Sequence, residues 1–403
     1  MTGDPLARYN AITLAVAQSF GGAVAPMAIA LGGLVGITLL PAEQIWLATL
    51  PVSIFIFGAA LSAIPAALIM RRFGCRAGTL LGAAAGGLGG VTALAALSAS
   101  SFALFCLAMA FTGICQAFVQ QYRFIAADTA SESYRPVAIS IVMIGGMFAG
   151  VIGPQTARYA TDLIPGMPYG GAYVAQIGLC VIMALILWRL RAPPAAQTQF
   201  SHSGRPLPEI MRQPRFIVSV GCAVASYALM SFVMTAGPVA MVEICGHSRS
   251  SALWGIQWHV LAMFGPSFFT GKLISRFGSE AITAAGLIML LLTGLIGLHG
   301  ISLIHFWTVL IVLGLGWNFG FIGATAMLTE TYQPEERAKV QAINDFIVVG
   351  SAAFASFNAA NVLFRDGWGW AGIMWIIFPV SILAGAALFS LVRMEKREQT
   401  RAS

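Results

Sequence analysis

The chain has 403 residues, of which 58% are hydrophobic and only 9% are charged. A soluble domain carries about 25% charged residues, so this composition excludes a water-exposed globular fold and indicates a protein of the lipid bilayer. The net charge of +7 does not indicate nucleic-acid binding, because the basic residues follow the topological pattern described below. The sequence also lacks a nucleotide-binding G-x-x-x-x-G-K motif, a Ser-His-Asp arrangement and a His-Cys zinc spacing. We therefore expect no enzyme, no resident cofactor and no ATP-driven pump.

Twelve apolar segments are each long enough to cross a bilayer, which takes about 20 residues. The longest polar segment, residues 191–215, is rich in Pro, Gln and Arg and separates the sixth apolar segment from the seventh. The sequence thus predicts an all-α membrane protein with two six-helix halves, 1–190 and 216–393, a linker at 191–215 and a tail at 394–403. The predicted segments are 10–35, 45–69, 77–99, 101–126, 136–160, 169–190, 216–241, 250–273, 280–300, 302–328, 338–363 and 370–393.

The placement of Lys and Arg predicts the orientation of the chain. With the N-terminus in the cytoplasm, 19 of the 22 basic residues fall on the inner side. The three on the outer side are Arg158, Arg249 and Arg365. Because cytoplasmic loops carry the excess of positive charge, both termini and the linker are predicted to be cytoplasmic.

The two halves show a sequence repeat. The tripeptide Arg-Phe-Gly follows the second segment at 72–74 and the eighth at 276–278, an offset of 204. An arginine also precedes the fifth segment at Arg135 and the eleventh at Arg337, an offset of 202. Matching short basic loops in two six-helix halves are typical of a parallel internal repeat about an axis along the membrane normal.

This arrangement resembles the major facilitator superfamily over essentially the whole chain. The family's loop between helices two and three reads Gly-x-x-x-Asp-Arg-x-Gly-Arg-Arg/Lys. Arg72 and Gly74 match that pattern, but the acidic position holds Arg71, and Ser275 holds it in the second copy. The resemblance implies a gating role for Arg72 and Arg276, but without the usual carboxylate partner.

A candidate metal site lies in segments seven and eight. Met230 and Met234 are spaced i, i+4, as are His259 and Met263, so each pair lies on one face of its helix. Counting residues from the helix ends places both pairs at a similar depth. Three thioethers and one imidazole are soft donors that suit Cu(I). The alternative is ordinary packing, since methionine is common in apolar helices.

The motifs M-x-x-x-M and H-x-x-x-M in these two helices resemble the CcoA-like branch of the superfamily. That resemblance implies that Met230, Met234, His259 and Met263 bind copper during import across a bacterial inner membrane. It also implies supply of a cbb-type cytochrome oxidase, with a copper chaperone or oxidase assembly factors as downstream partners. The same branch includes riboflavin transporters, so the resemblance leaves the substrate open.

Two cysteines near these motifs form a second set of candidates. The resemblance implies a metal-relay role for Cys222 and Cys245. They are predicted to lie near opposite ends of segment seven, about 30 Å apart at the rise of an α-helix, whereas a disulfide needs Cα atoms within about 7 Å. We therefore predict two separate thiols. For Cys222 a small buried apolar side chain is the alternative.

Polar and aromatic residues inside the segments supply further candidates. Asp345 is the one carboxylate well placed inside a predicted span, and it could carry a coupling proton or pair with Arg123 or another base. Trp254, Trp258 and Trp317 could line a cavity or anchor helices.

The sequence therefore predicts an importer that moves Cu(I), as substrate, into the cytoplasm by alternating access. The first alternative is an importer of riboflavin or another aromatic small molecule, which would use the tryptophans and amides and leave the methionines as packing. The second alternative is a membrane copper sensor or chaperone that binds the metal without moving it.

Overall fold

The computed structural model describes residues 5–131, 134–191, 204–365 and 368–402, and these residues are almost entirely helical, with no β-strand among them. The helices are α1 (Pro5–Gly21), α2 (Val24–Leu39), α3 (Leu50–Phe73), α4 (Cys75–Ser98), α5 (Phe102–Gln120), α6 (Tyr122–Asp128), α7 (Arg135–Ala160), α8 (Gly170–Leu187), α9 (Leu207–Met211), α10 (Pro214–Val239), α11 (Arg249–Phe264), α12 (Ser267–Phe277), α13 (Ser279–His299), α14 (Leu303–Thr329), α15 (Arg337–Ala360) and α16 (Gly369–Ala402).

Eleven helical stretches of the described chain are long and apolar enough to cross a membrane. The predicted eighth segment, 250–273, is not among them, because it is divided into α11 and α12 at Gly265 and Pro266. A proline has no N–H to donate, and its ring clashes with the carbonyl four residues earlier, so it interrupts a helix. The all-helical membrane fold is confirmed, whereas twelve crossings with both termini inside stay a prediction.

The described chain forms two compact units. The first lies within Met1–Thr198 and Ser248–Val260, and the second within Gln199–His247 and Leu261–Ser403. In the first unit α4 packs against α5 and α8, while α1 packs against α7. In the second unit α13 packs against α14 and α16, while α10 packs against α15. The same order of helix pairs thus occurs in each unit.

The unit boundary differs in one place from the halves expected from sequence. Residues 248–260, here called the strap, belong to the first unit although both of their neighbours in sequence belong to the second. The strap joins the first unit because its side chains contact the end of α7: Arg158 donates a 2.7 Å hydrogen bond to Ser250, and Gln155 donates a 2.5 Å bond to Gln257. At the other boundary, the described part of the predicted linker contains the short helix α9. The predicted tail from residue 394 continues α16.

The repeated Arg-Phe-Gly tripeptide has the same conformation in both units. Gly74 and Gly278 both have φ of +89°, a value that favours glycine, and each lies between two helices. Arg72 and Arg276 are exposed, and each lies over the ring of the phenylalanine that follows it, at 5.4 and 5.2 Å. Their gating role stays a prediction.

One close helix crossing in the second unit depends on glycine. A Cβ atom on Gly286 of α13 would lie 2.1 Å from the backbone nitrogen of Gly320 in α14. Only a residue without a side chain allows the two backbones to approach this closely, as is common where membrane helices pack.

A four-residue ion cluster joins the helix ends of the second unit. Arg215, at the start of α10, donates through Nη1 to both carboxylate oxygens of Glu395, at 2.7 and 2.9 Å. Its Nη2 donates to Glu330 at 2.7 Å and also to Glu280. One guanidinium therefore connects α10 with the start of α13, the end of α14 and the end of α16.

The chain before α10 is held on the second unit by a buried carboxylate. Arg205 donates from Nε and Nη2 to the two oxygens of Glu336, at 3.0 and 2.8 Å. The backbone nitrogens of Arg205 and Gln333 donate to the same carboxylate at 2.6 and 3.0 Å. Lys339 donates to the carbonyl of Arg205. In the same segment, Ile210 packs in an apolar cluster with Phe216.

Acid is expected to release this contact. The hydrogen bonds from Arg205, and then from the Gln333 backbone, lower the pKa of Glu336 from 4.5 to about 2. Because the pKa is lower in the folded state, the carboxylate stabilises the fold above about pH 4.5, and this stability is lost as the pH falls toward 2. The difference in unfolding midpoint between wild type and Glu336→Gln should therefore be largest above pH 4.5 and shrink toward pH 2. Glu335→Gln, at the exposed neighbouring position, is the matched control, and an equal effect of both variants would contradict the assignment.

Candidate functional site

A cluster of four aromatic side chains lies inside the second unit. Trp317 and Phe321 are one helical turn apart on α14, and their rings stack with centroids 5.2 Å apart and an interplanar angle of 17°. Tyr227 of α10 meets both rings edge-on, at 5.7 and 5.2 Å. Phe264, the last residue of α11, meets Trp317 at 6.2 Å. We call these four residues the aromatic cluster.

The aromatic cluster contains a polar group without a partner. Trp317 is only 7% exposed, and within the described chain its buried indole nitrogen makes no hydrogen bond. A buried Trp N–H usually has an acceptor, so this group is available to an acceptor on a ligand. Flat aromatic faces beside one free donor are suited to a planar heteroaromatic molecule that carries carbonyl oxygens or ring nitrogens.

Next to the aromatic cluster, Asn318 secures the interruption between α11 and α12. Its Nδ2 donates to the carbonyl of Met263 at 2.6 Å and to the hydroxyl of Ser267 at 2.8 Å, and its Oδ1 accepts from Thr270 at 2.6 Å. The last carbonyls of a helix have no intrahelical donor, and Asn318 supplies one to Met263. This amide therefore fixes the geometry at Pro266, close to Phe264 in sequence.

Replacing Asn318 by Ala should lower the stability of the protein. Asn318 is fully buried, so the substitution leaves the Met263 carbonyl and the Thr270 hydroxyl with one partner fewer in an apolar interior. An unsatisfied buried polar group costs about 1–3 kcal/mol. Thermal unfolding in detergent measures the change. Asn358→Ala is the control, since within the described chain that amide donates to the carbonyl of Phe354 in its own helix and is partly exposed. Equal unfolding midpoints for the two variants would show that the Asn318 network contributes little.

The first unit has its own group of amides and tryptophans. Gln155 of α7 donates to Gln257 of the strap at 2.5 Å, and Gln257 is buried. Trp254 and Trp258 stack one turn apart on the strap, with centroids at 6.3 Å and an interplanar angle of 23°. The structure therefore places each predicted tryptophan in an aromatic contact, with Trp254 and Trp258 in one unit and Trp317 in the other.

The four predicted copper ligands are all buried. Met230, Met234 and Met263 belong to the second unit, whereas His259 is on the strap and belongs to the first. Among the described residues, no group of three or more His, Cys, Asp and Glu side chains could hold a metal ion, but thioethers are outside that set. Metal binding by these four residues therefore stays a prediction.

The predicted relay and coupling residues have different surroundings. Cys222 is a buried free thiol whose sulfur lies 3.8 Å from the carbonyl of Ala384 in α16, and Cys245 is a partly buried free thiol just after α10. Asp345 is exposed on α15 and accepts a hydrogen bond from Asn344 at 3.1 Å. Arg123 is exposed on α6, over the ring of Phe124 at 4.7 Å. Their relay, coupling and gating roles stay predictions.

Sequence reasoning missed most of the aromatic cluster. Trp317 was a candidate, but its partners Tyr227, Phe264 and Phe321 were not. The i, i+4 spacing of Trp317 and Phe321 could have indicated that pair. No local pattern could have indicated Tyr227, because it is 90 positions earlier in the chain.

Comparison with known proteins gives consistent matches along the chain. A family model described as Major Facilitator Superfamily matches residues 9–356, with a second match over 220–403. The riboflavin transporter RfnT of Brucella anthropi is 49% identical over 385 residues, which are 95% of this chain and 96% of that protein. An uncharacterised MFS-type transporter of Bacillus subtilis, YdeG, is 29% identical over 86% of this chain and 84% of its own length.

Solved structures show a similar fold. A crystal structure of a mutant of the nucleoside transporter NupG has a TM-score of 0.73 at 12% identity, covering 96% of this chain and 99% of that one. A D-xylose-proton symporter has a TM-score of 0.72 at 14% identity, covering 95% and 96%. At these identities the likeness concerns the fold alone.

Proposed function

Because the chain belongs to the major facilitator superfamily and is therefore a membrane transporter rather than an enzyme, we propose that its substrate is riboflavin. The observation that carries this proposal is the 49% identity to a riboflavin transporter over 95% of the chain. The matched residues make up 95% of this chain and 96% of that protein, so the likeness concerns the whole transporter. It supports the flavin alternative better than copper import.

The aromatic cluster supports the same substrate. Riboflavin has a flat tricyclic ring with carbonyl oxygens and ring nitrogens along one edge. Aromatic side chains pack on such a ring in stacked or edge-on arrangements, and the Trp317 N–H offers a donor to an acceptor on its edge. We propose that the flavin ring binds at the aromatic cluster, where the indole nitrogen gains the partner that the described protein does not supply.

We propose that transport is inward across a bacterial inner membrane and follows alternating access, as in other secondary transporters. For Asp345, the carboxylate that the sequence places in a span, both alternatives stay predictions: pairing with a base on the cytoplasmic side, or carrying a coupling proton. With a flavin as substrate, Met230, Met234 and Met263 have a packing role, and the copper partners that the resemblance implied are not required.

A paired substitution separates the flavin and copper hypotheses. Met230→Leu with Met234→Leu roughly keeps volume and apolarity, which costs less than about 1.5 kcal/mol in a core, but it removes both sulfur atoms. Uptake of radiolabelled riboflavin and of radioactive copper should be measured in parallel in cells that contain equal amounts of protein. We expect near-normal riboflavin uptake by the double variant and no copper uptake above that of cells without the protein.

The opposite pattern would favour the copper hypothesis. It consists of copper accumulation by the wild type that is lost in the double variant, without riboflavin uptake by either protein. Binding of copper without accumulation would favour the sensor or chaperone instead.

A further inference from the structure

The first unit contains a small open pocket whose polar wall has no role in the proposed flavin site. The end of α7 and the residues after it contribute Arg158, Thr161 and Asp162, and the strap contributes Arg249 and Ser250. The remaining lining residues are apolar and come from α2 and from the strap. Two guanidinium groups therefore share this pocket with one carboxylate.

Arg158 is held in place without a neutralising acid. Its Nε donates to the hydroxyl of Ser250 at 2.7 Å, and its guanidinium lies over the rings of Tyr159 and Trp254, 5.2 Å from each centroid. Within the described chain no carboxylate forms a salt bridge with it, and its two terminal nitrogens make no hydrogen bond. A planar cation fixed by aromatic faces, with both terminal nitrogens free, is preorganised to bind an oxyanion in a bidentate manner.

Arg249 provides a second, exchangeable cation. Its Nη1 donates to Asp162 at 3.1 Å, and its guanidinium lies 4.9 Å from the centroid of Tyr169. Arg249 and Asp162 are 41% and 78% exposed, and an ion pair this exposed contributes little stability. A ligand anion could therefore replace Asp162 as the partner of Arg249 at small cost.

The predicted topology makes these two arginines unusual. Only three of the 22 basic residues are predicted to lie on the outer side, and two of those three line this pocket. Positive residues are disfavoured there by the rule that predicts the orientation, so the topology gives no reason for two guanidinium groups at one position. A bound ligand of negative charge would explain why both guanidinium groups are there.

We propose that this pocket binds a phosphate group, with Arg158 as the fixed bidentate partner and Arg249 as the exchangeable one. Two sources have the required chemistry, namely the phosphomonoester of a phosphorylated flavin and the phosphodiester headgroup of an anionic lipid. The phosphate site stands on the pocket itself. Only the flavin source rests on the proposed function.

Arginine labelling tests the site without any flavin. Phenylglyoxal modification of Arg158 should be followed by mass spectrometry on the purified full-length protein, with Arg76 as the internal control. Arg76 also lies over an aromatic ring, that of Trp188 at 5.5 Å, but it does not line the pocket. Inorganic phosphate should slow the labelling of Arg158 at least about fivefold and leave Arg76 unchanged, because two charge-assisted hydrogen bonds occupy the guanidinium. Equal effects of phosphate on both arginines would overturn the proposal.

Flavin mononucleotide and riboflavin distinguish the first source, because they differ by one phosphate. In the presence of saturating riboflavin, the wild type should still bind flavin mononucleotide at low salt, with this binding falling as salt rises. Arg158→Gln should lose that binding and keep riboflavin binding, whereas Arg76→Gln should keep both. Arg158→Lys, which keeps the charge without the planar geometry, should fall between them.

Nanodiscs with and without phosphatidylglycerol distinguish the second source. Protection of Arg158 by that lipid, without binding of flavin mononucleotide in the presence of saturating riboflavin, would assign the site to a lipid headgroup. Protection by none of the three phosphate sources would overturn the proposal. A protein that protects Arg158 with inorganic phosphate but does not bind riboflavin would refute the proposed function while leaving the phosphate site intact.

Discussion

Replacing Trp317 by Ala is expected to reduce riboflavin uptake by a factor of about 10 to 100. The substitution removes the stacked face shared with Phe321 and the free indole donor of the aromatic cluster. An aromatic pair contributes about 0.5–1.5 kcal/mol beyond its buried area, and a hydrogen bond contributes a similar amount. Because each 1.4 kcal/mol corresponds to tenfold in affinity, the combined loss should appear mainly as a higher KM for riboflavin.

Two further variants separate the donor from the ring. Trp317→Phe keeps an aromatic face but removes the N–H, so we expect an intermediate loss of about two- to tenfold. This variant also keeps the test valid if Trp317→Ala folds poorly. A large-to-small change in a core costs about 3–5 kcal/mol, so Trp317→Ala could lower the amount of protein. Trp375→Phe is the control, because Trp375 is 58% exposed on α16. An unchanged KM in both Trp317 variants at normal protein level would show that the aromatic cluster does not bind riboflavin.

Replacing Arg215 by Ala should destabilise the helix ends that its ion cluster joins. Its guanidinium is the shared partner of Glu280, Glu330 and Glu395, so the variant leaves three carboxylates close together without a cation between them. Removing one partner of a fully buried ion pair costs about 3–5 kcal/mol. Here the carboxylates are 27% to 53% exposed, and solvent screening reduces the expected cost to about 1–3 kcal/mol. The unfolding midpoint in detergent measures the loss.

A compensating substitution tests the electrostatic origin of that loss. Adding Glu330→Gln to Arg215→Ala removes one of the repelling charges and should restore part of the stability, whereas Glu330→Gln alone should be mildly destabilising. Arg212→Ala, at an exposed position three residues earlier, should change the stability by no more than about 0.5 kcal/mol. No recovery in the double variant would mean that the Arg215 side chain stabilises the unit through packing instead.

The helical membrane fold could be predicted from the sequence because it depends on hydrophobic length, which is a local property. The repeat could also be recognised from the sequence, by the Arg-Phe-Gly tripeptide that occurs in both halves. In the structure this tripeptide has the same glycine conformation at Gly74 and Gly278. The interruption of the eighth segment was overlooked. Pro266 lacks a backbone N–H and so indicated the interruption. The prediction, however, used the average hydrophobicity of about 20 residues, and one proline hardly changes that average.

Most of the candidate site could not be predicted because its contacts join distant parts of the chain. Tyr227 reaches Trp317 across 90 positions, and Arg158 reaches Ser250 across 92. The spacing of Met230 and Met234 could be read from the sequence, but it did not decide between two roles. It is a true local pattern, but two thioethers one turn apart have the same spacing in a metal site and in a packed core.

The central claim, that the chain transports riboflavin, is tested most directly in liposomes that contain only the purified protein. Liposomes loaded with unlabelled riboflavin and diluted into a trace of radiolabelled riboflavin should accumulate the label transiently by exchange, without ATP. Unlabelled riboflavin outside should abolish the accumulation, whereas Cu(I) held in a soluble complex should leave it unchanged. Active protein that exchanges radioactive copper under the same conditions, but accumulates no riboflavin label, would contradict the account.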